Sequence, residues 1–303
     1  MLELHKLPFL AMGTECAVHL YAADRAEAER CAQAAIDEVE RIESRHSRYR
    51  ADSELTRLNR AAQCGGSVAV DDETAALLDF AFAAHKKSAG LFDVTSGLLR
   101  KAWDFTSARL PKQETLDELL PRVGLDKLRW KPPCLSFAVP GMELDFGGIG
   151  KEYAADRAAE VCRAAGSRHG LIDLGGDIRI IGPHPGGEPW SIAIRHPRQP
   201  DAWMASAEID SGALATSGNY ERCIDIGVNR YGHILHPATG WPAAGLCSVS
   251  VIADQCLVAG TISTIAMLKG VAGIDWLRGL GVPHVWMDEQ CRQGGFGSGF
   301  REA

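Results

Sequence analysis

Residues 143–182, ELDFGGIGKEYAADRAAEVCRAAGSRHGLIDLGGDIRIIG, constrain the fold of this chain more than any other stretch. A short apolar segment, expected as a strand, breaks at Gly147 and Gly148 and gives way to an alanine-rich run. In that run Ala154, Ala155, Ala158, Val161, Cys162 and Ala165 share one helical face, and Gly166 stops the helix. A strand over residues 171–174 follows, breaks at Gly175 and Gly176, and leads into another over 178–181. Glycine pairs at strand ends, one of them opening a helix, leave bare backbone N–H groups where a phosphate can sit. Asp145 and Lys151 flank the first pair, so a ligand site is expected there. Neither GxGxxG nor GxxxxGK[ST] occurs, which excludes the usual dinucleotide and P-loop modes.

Residues 7–21 alternate as a strand interrupted at Met12, Gly13 and Thr14. Asp24 caps a helix running to about Arg45, and Asp71 or Asp72 opens a second that ends at Gly90. Between them, residues 47–59 are polar and irregular and read as a solvated loop, with Tyr49 as a packing anchor. In LFDVTSG (residues 91–97) the residues alone make Asp93 an N-cap or Asx-turn acid. Beyond residue 182 the chain is mostly extended, with strands at 190–195, 204–209, 213–216, 231–235 and 248–253. His233 and His236 lie three apart, but Pro237 stops any helix through them, so each reads as a hydrogen-bonded loop residue. Helices near 258–269 and 274–280 and a strand at 282–287 complete the pattern. No long Pro, Gly and Ser linker divides the chain, so residues 1–303 are expected as one α+β domain with a large, mostly antiparallel sheet and packed helices.

A net charge of -7 without basic runs argues against nucleic acid or an anionic membrane as partner. Nine cysteines form no CxxC pair, which argues against a zinc site, and several sit at apolar helix or strand positions, so most of them read as small buried hydrophobes in a reducing compartment. No segment has the length of a membrane helix, and residues 1–15 lack a basic region followed by a sustained apolar core. A cytoplasmic location is therefore expected.

Met12-Gly13-Thr14, residues 47–59, LFDVTSG, LDFGGIGKEYAAD, the turn Gly175-Gly176-Asp177, ATSGNYE and HILHPATGWP stand in the order seen in the ApbE family of FAD:protein FMN transferases, which this chain resembles from Leu7 to about Phe300. The resemblance implies a single T-fold-like domain with FAD in a cleft. It also implies an acceptor flavoprotein whose Thr or Ser receives FMN through a phosphoester bond. Met12 and Tyr49 match the residues that hold the isoalloxazine ring, a task suited to a polarisable thioether and an aromatic face. Leu91, Phe92, Asp93, Asp145, Lys151 and Leu235 match other positions lining FAD, and His233 matches a catalytic or positioning histidine near the phosphates.

The family's metal, expected as Mg²⁺, is held by a backbone carbonyl at the position of Gly148 and by an Asp and a Thr on the late helix. Thr264 is the matching threonine, and the position of the aspartate is Gly260. A hydroxyl, a carbonyl and water are a poor donor set for Mg²⁺. Glu152 stands where the family has a glycine after the lysine; it could return a carboxylate to the cleft, but as a helix residue it is expected to face solvent. If the missing carboxylate limits the rate, Gly260→Asp is expected to raise it. The rival readings are a non-catalytic FAD-binding paralogue and a slow hydrolase giving FMN and AMP.

Overall fold

A computed structural model describes residues 1–107, 109–227 and 229–302, and it is built on eight antiparallel strands that lie side by side in chain order. They are β1 (Glu3–Ala11), β2 (Thr14–Ala22), β3 (Gly170–Leu174), β4 (Asp177–Gly182), β5 (Ala213–Gly218), β6 (Leu246–Ala253), β7 (His284–Asp288) and β8 (Gln293–Phe296). The helices are α1 (Arg25–His46), α2 (Glu54–Gln63), α3 (Asp72–Lys87), α4 (Gln113–Leu119), α5 (Gly150–Ala164), α6 (Cys256–Lys269) and α7 (Ala272–Leu280).

Period-two alternation decides what each face of the sheet meets. Val18, Ile172, Leu174, Ala213, Ala215, Val249 and Val251 share one core with Ala35, Val39 and Ile42 of α1, the alanines of α5 and Ala259 of α6. Leu171, Ile178, Ile180 and Leu214 point the other way, onto a small sheet of Trp190–Arg195, Trp203–Ile209 and Phe300–Glu302. The small side chains of α5 let it lie close to both α1 and the sheet. The same alternation places Asp177, Arg179 and Ser217 on the helix-covered face.

A polar brace fixes α6 against α5. The Asp156 carboxylate accepts hydrogen bonds from the Cys256 and Leu257 amides, each at 2.9 Å, and Arg179 Nε lies 3.0 Å from it. No side chain on α6 itself caps those amides, so a residue of α5 serves as the N-cap of another helix.

Three expectations are corrected here. The interrupted strand over residues 7–21 is a hairpin, because Met12 and Gly13 both take positive φ, +53° and +72°, the pattern of a tight two-residue turn. The polar stretch 47–59 is only partly a loop. Ser53 accepts from the Thr56 amide at 3.0 Å and starts α2, which buries Leu55, Leu58 and Ala62 at helical spacing. Residues 143–146 form no strand. The Asn59 side chain takes the place of a neighbouring strand by bonding the Leu144 N–H at 2.7 Å and C=O at 3.0 Å, and the Asp145 amide donates to the Val94 carbonyl at 2.8 Å. A further shift is smaller: the strand expected at 231–235 ends at Gly232, and Leu235 makes an isolated bridge to Pro242.

Asp156→Ala removes two amide partners and leaves Arg179 without its carboxylate, so unfolding free energy is expected to fall by about 2 to 4 kcal/mol. Urea denaturation checks this, with a lower midpoint at unchanged m-value as the expected result.

Candidate functional site

One large cleft, about 1870 Å³, opens where the β1–β2 turn, the 91–100 segment, the start of α5, the ends of β4 and β5 and the 233–235 segment converge. Met12, Tyr49, Leu91, Phe92, Asp93, Asp145, Gly148, Lys151, His233, Leu235 and Thr264 all line it, although they are scattered along most of the chain. Met12 is half-buried at its turn, and Tyr49 stands 88% exposed at the rim. The exposure of Tyr49 replaces its expected role as a packing anchor.

The carboxylates here differ in what they are free to do. Asp93 Oδ1 accepts from the Thr95 amide at 2.8 Å and hydroxyl at 2.6 Å, and Oδ2 accepts from the Leu125 amide at 2.8 Å. Those bonds are an Asx-turn and a tertiary tie, so this acid shapes the cleft wall. Asp145 accepts from Arg48 at 2.7 Å and from the Gly147 amide at 2.9 Å, with Arg100 at 3.5 Å. Gly97 sits so close to Asp145 that a Cβ would overlap its side chain, which makes glycine necessary there.

Lys151 reaches back to Asp177 at 2.7 Å, and Asp177 is only 2% exposed. Burial works against the ammonium charge, but Asp177 and Glu152 overcome it and hold Lys151 above its ordinary range. Asp177 Oδ1 also accepts from the Thr216 amide at 3.1 Å, tying β4 to β5 at the cleft floor. Burial and the neighbouring Asp177 charge hold Asp173 above the usual carboxylate range, while the Gly176 amide opposes them.

Glu152 overturns the expectation that it faces solvent. It is 8% exposed, lines the cleft and has an oxygen, Oε2, with no hydrogen-bond partner among the described residues. Its side chain fills the space in front of Gly260: a Cβ added there would lie 2.6 Å from Glu152 Cγ and 2.8 Å from Oε1. The expectation for Gly260→Asp is corrected accordingly, since an aspartate at 260 collides with the glutamate already present. No group of three or more His, Cys, Asp or Glu side chains positioned to hold a metal occurs among the described residues.

His233 follows β-structure at the cleft edge, and its Nδ1 lies 3.3 Å from the Arg222 carbonyl. A carbonyl only accepts, so this contact places the proton on Nδ1 and leaves Nε2 with a free lone pair. Burial, reinforced by the charges of Arg100 and Arg222, lowers its pKa to about 4. His46, packed edge-on against Phe146, is likewise lowered to about 4, chiefly by burial. Thr264, one turn past Gly260 on α6, lies 2.9 Å from Ser217 Oγ.

Arg48, Arg100, Glu152 and Asp177 are cleft residues that the reading of the sequence did not assign to the site. Asp177 had a legible signal, because alternation from the buried Ile178 and Ile180 puts it on the helix side. The two arginines had none, since only the tertiary fold brings them to Asp145.

The sequence profile described as the ApbE family matches residues 12–286. A FAD:protein FMN transferase of Treponema pallidum is 33% identical over 88% of this chain and 82% of its own length. One from Rhodobacter capsulatus is 34% identical over 75% of this chain, which spans 44% of that longer protein. The ApbE protein of Thermotoga maritima superposes with a TM-score of 0.87 at 31% identity, covering 97% of both chains.

Two predictions follow from the charges. Lys151→Met leaves Asp177 buried without its counter-ion and is expected to cost about 3 to 5 kcal/mol of stability, read by urea unfolding at pH 7.5. His46 and His233 bind protons near pH 6.5 when unfolded and near 4 when folded. The unfolded chain therefore holds more protons in that window, and stability falls as pH drops through it. By pH 4.5 each histidine is expected to cost about 2.5 kcal/mol, and His46→Gln should remove its share of the acid-side slope.

Proposed function

The chain belongs to the ApbE family, and from that membership we propose that it is a FAD:protein FMN transferase. It would cleave FAD and attach FMN by a phosphoester bond to a Thr or Ser of a target flavoprotein. The observation that carries this reading is the convergence of residues as distant as Met12 and Thr264 on one cleft large enough for a dinucleotide.

In this reading Met12 and Tyr49 take opposite sides of the isoalloxazine ring. Tyr49, already exposed at the rim, buries its face on ligand binding and gains affinity from stacking. Leu91, Phe92 and Leu235 supply apolar wall, and Lys151 and Arg100 supply positive charge toward the diphosphate. The acceptor hydroxyl forms its bond to the FMN-side phosphorus as the bond to AMP breaks, and the hydroxyl proton passes to Nε2 of neutral His233. A divalent cation, when bound, neutralises charge building on the phosphate oxygens. The Gly148 carbonyl and the Thr264 hydroxyl would hold it. Buried, unpartnered Glu152 Oε2 fits a site that accepts positive charge.

We also read residues 1–303 as one domain, because Tyr153 and Trp276 pack against both of the largest cores. Among the described residues no helix is long and apolar enough to cross a membrane. The nine cysteines are all free, and this supports a reducing, cytoplasmic setting.

Incubation with FAD, Mg²⁺ and an acceptor flavoprotein is expected to give a flavin-fluorescent acceptor band and equimolar AMP. Bound FAD without labelling would instead identify a carrier, and FMN plus AMP without labelling a hydrolase. Tyr49→Ala is expected to weaken FAD uptake about tenfold, near 1.4 kcal/mol, measured by quenching of flavin fluorescence.

A further inference from the structure

We propose that Glu152 is a carboxylate ligand of a divalent cation in this cleft, delivered from α5 into the place that a side chain at position 260 of α6 would otherwise fill. The inference rests on the transferase reading for the use of the cation, but it is argued from the packing of this chain.

Three observations meet at Glu152. Its carboxylate lies directly over Gly260, where an added Cβ would come within 2.6 Å of Cγ, 2.8 Å of Oε1 and 3.0 Å of Cδ. Positions 152 and 260 therefore share one volume, and a carboxylate can reach it from either helix but not from both. Second, this acid is more than nine-tenths buried, and its Oε2 has no partner among the described residues. The nearest cation in sequence, Lys151, makes its ion pair with Asp177 at 2.7 Å and acts on Glu152 only through space. A buried carboxylate that shares its counter-charge with a second acid and has an unbonded oxygen is costly unless a further cation or a proton meets it. Third, Thr264 lies four residues beyond Gly260, hence on the same face of α6, and both Thr264 and Glu152 line the cleft. A carboxylate and a hydroxyl lining the same cleft offer the oxygen donors a hard divalent ion prefers.

The site differs from a plain loss of function at position 260. Glutamate is one methylene longer than aspartate, and it approaches from the neighbouring helix. The brace from Asp156 to the start of α6 fixes the register of the two helices that makes this possible.

Mn²⁺ serves as the probe, titrated into the full-length protein with and without FAD and followed by loss of the free-ion electron paramagnetic resonance signal. Wild type is expected to take up one Mn²⁺ per chain. Glu152→Gln keeps the shape but not the charge, and it is expected to weaken Mn²⁺ binding at least thirtyfold. The double variant Glu152→Gly with Gly260→Asp moves the carboxylate back to α6 and is expected to recover to within about threefold of wild type. In metal-free buffer Glu152→Gln should melt at or above the wild-type temperature, and Mn²⁺ should raise the melting temperature of wild type alone. Equal Mn²⁺ binding by wild type and Glu152→Gln, or no uptake by wild type in either condition, overturns the assignment. If the double variant fails to fold, the single variant decides. Uptake of FAD in EDTA, followed by fluorescence quenching, tests the transferase reading separately. Loss of that uptake with Mn²⁺ binding still dependent on Glu152 would refute the reading and leave the ligand assignment standing.

Discussion

The Asp156 carboxylate is the interaction on which the geometry of this protein turns. It sits on α5, terminates α6 by accepting two of its first amides, and holds Arg179 of β4. Two helices and the sheet are thereby locked in one register with a single side chain. Every cleft distance that involves α5, α6 and β4 inherits that register. Burial pushes the Asp156 carboxyl above its ordinary range against the pull of the two amides and Arg179. The alanines of α5 make the arrangement possible, because larger side chains would hold the helix away from α1 and the sheet.

Charge in the cleft is arranged in two tiers. Outer acids are neutralised by arginines: Glu143 and Asp145 are both held by Arg48, at 2.9 and 2.7 Å. These pairs join the end of α1 to the loop before α5 and keep the Gly147 and Gly148 segment in place. The inner tier is drier. Lys151 and Asp177 form a pair there, with Asp173 and Glu152 close by and held above their ordinary range by burial and by the charge of Asp177. Such a site is suited to a ligand that brings its own charge, since an inner tier short of positive charge gains from any cation that enters it.

Much of the architecture was legible along the chain. The caps at Asp24 and Asp71, the strands over 171–174 and 178–181 and the small-residue face of α5 each followed from local rules and hold in the fold. Residues 143–146 misled because an apolar run reads as a strand, whereas the Asn59 amide satisfies its backbone from outside any sheet. The α2 helix was hidden because its polar residues outnumber Leu55, Leu58 and Ala62, and only burial of those three gives it a face. Candidate site residues could be named from motif order, but their convergence could not, because closing such distant segments is a property of the sheet order.

The sequence by itself determined the elements, the glycine turns and the residue types available for chemistry, since these rest on backbone sterics and on period-two and helical patterning between near neighbours. It also determined that position 260 carries no side chain. Only the tertiary structure decided what fills that space, because the answer depends on two helices separated by about a hundred residues and on how closely they approach. Read along the chain, Glu152 is a polar residue in the first turn of a helix and Gly260 a lost carboxylate. Brought together, they are one volume occupied by one acid, since two side chains cannot share it and a buried charge cannot move away.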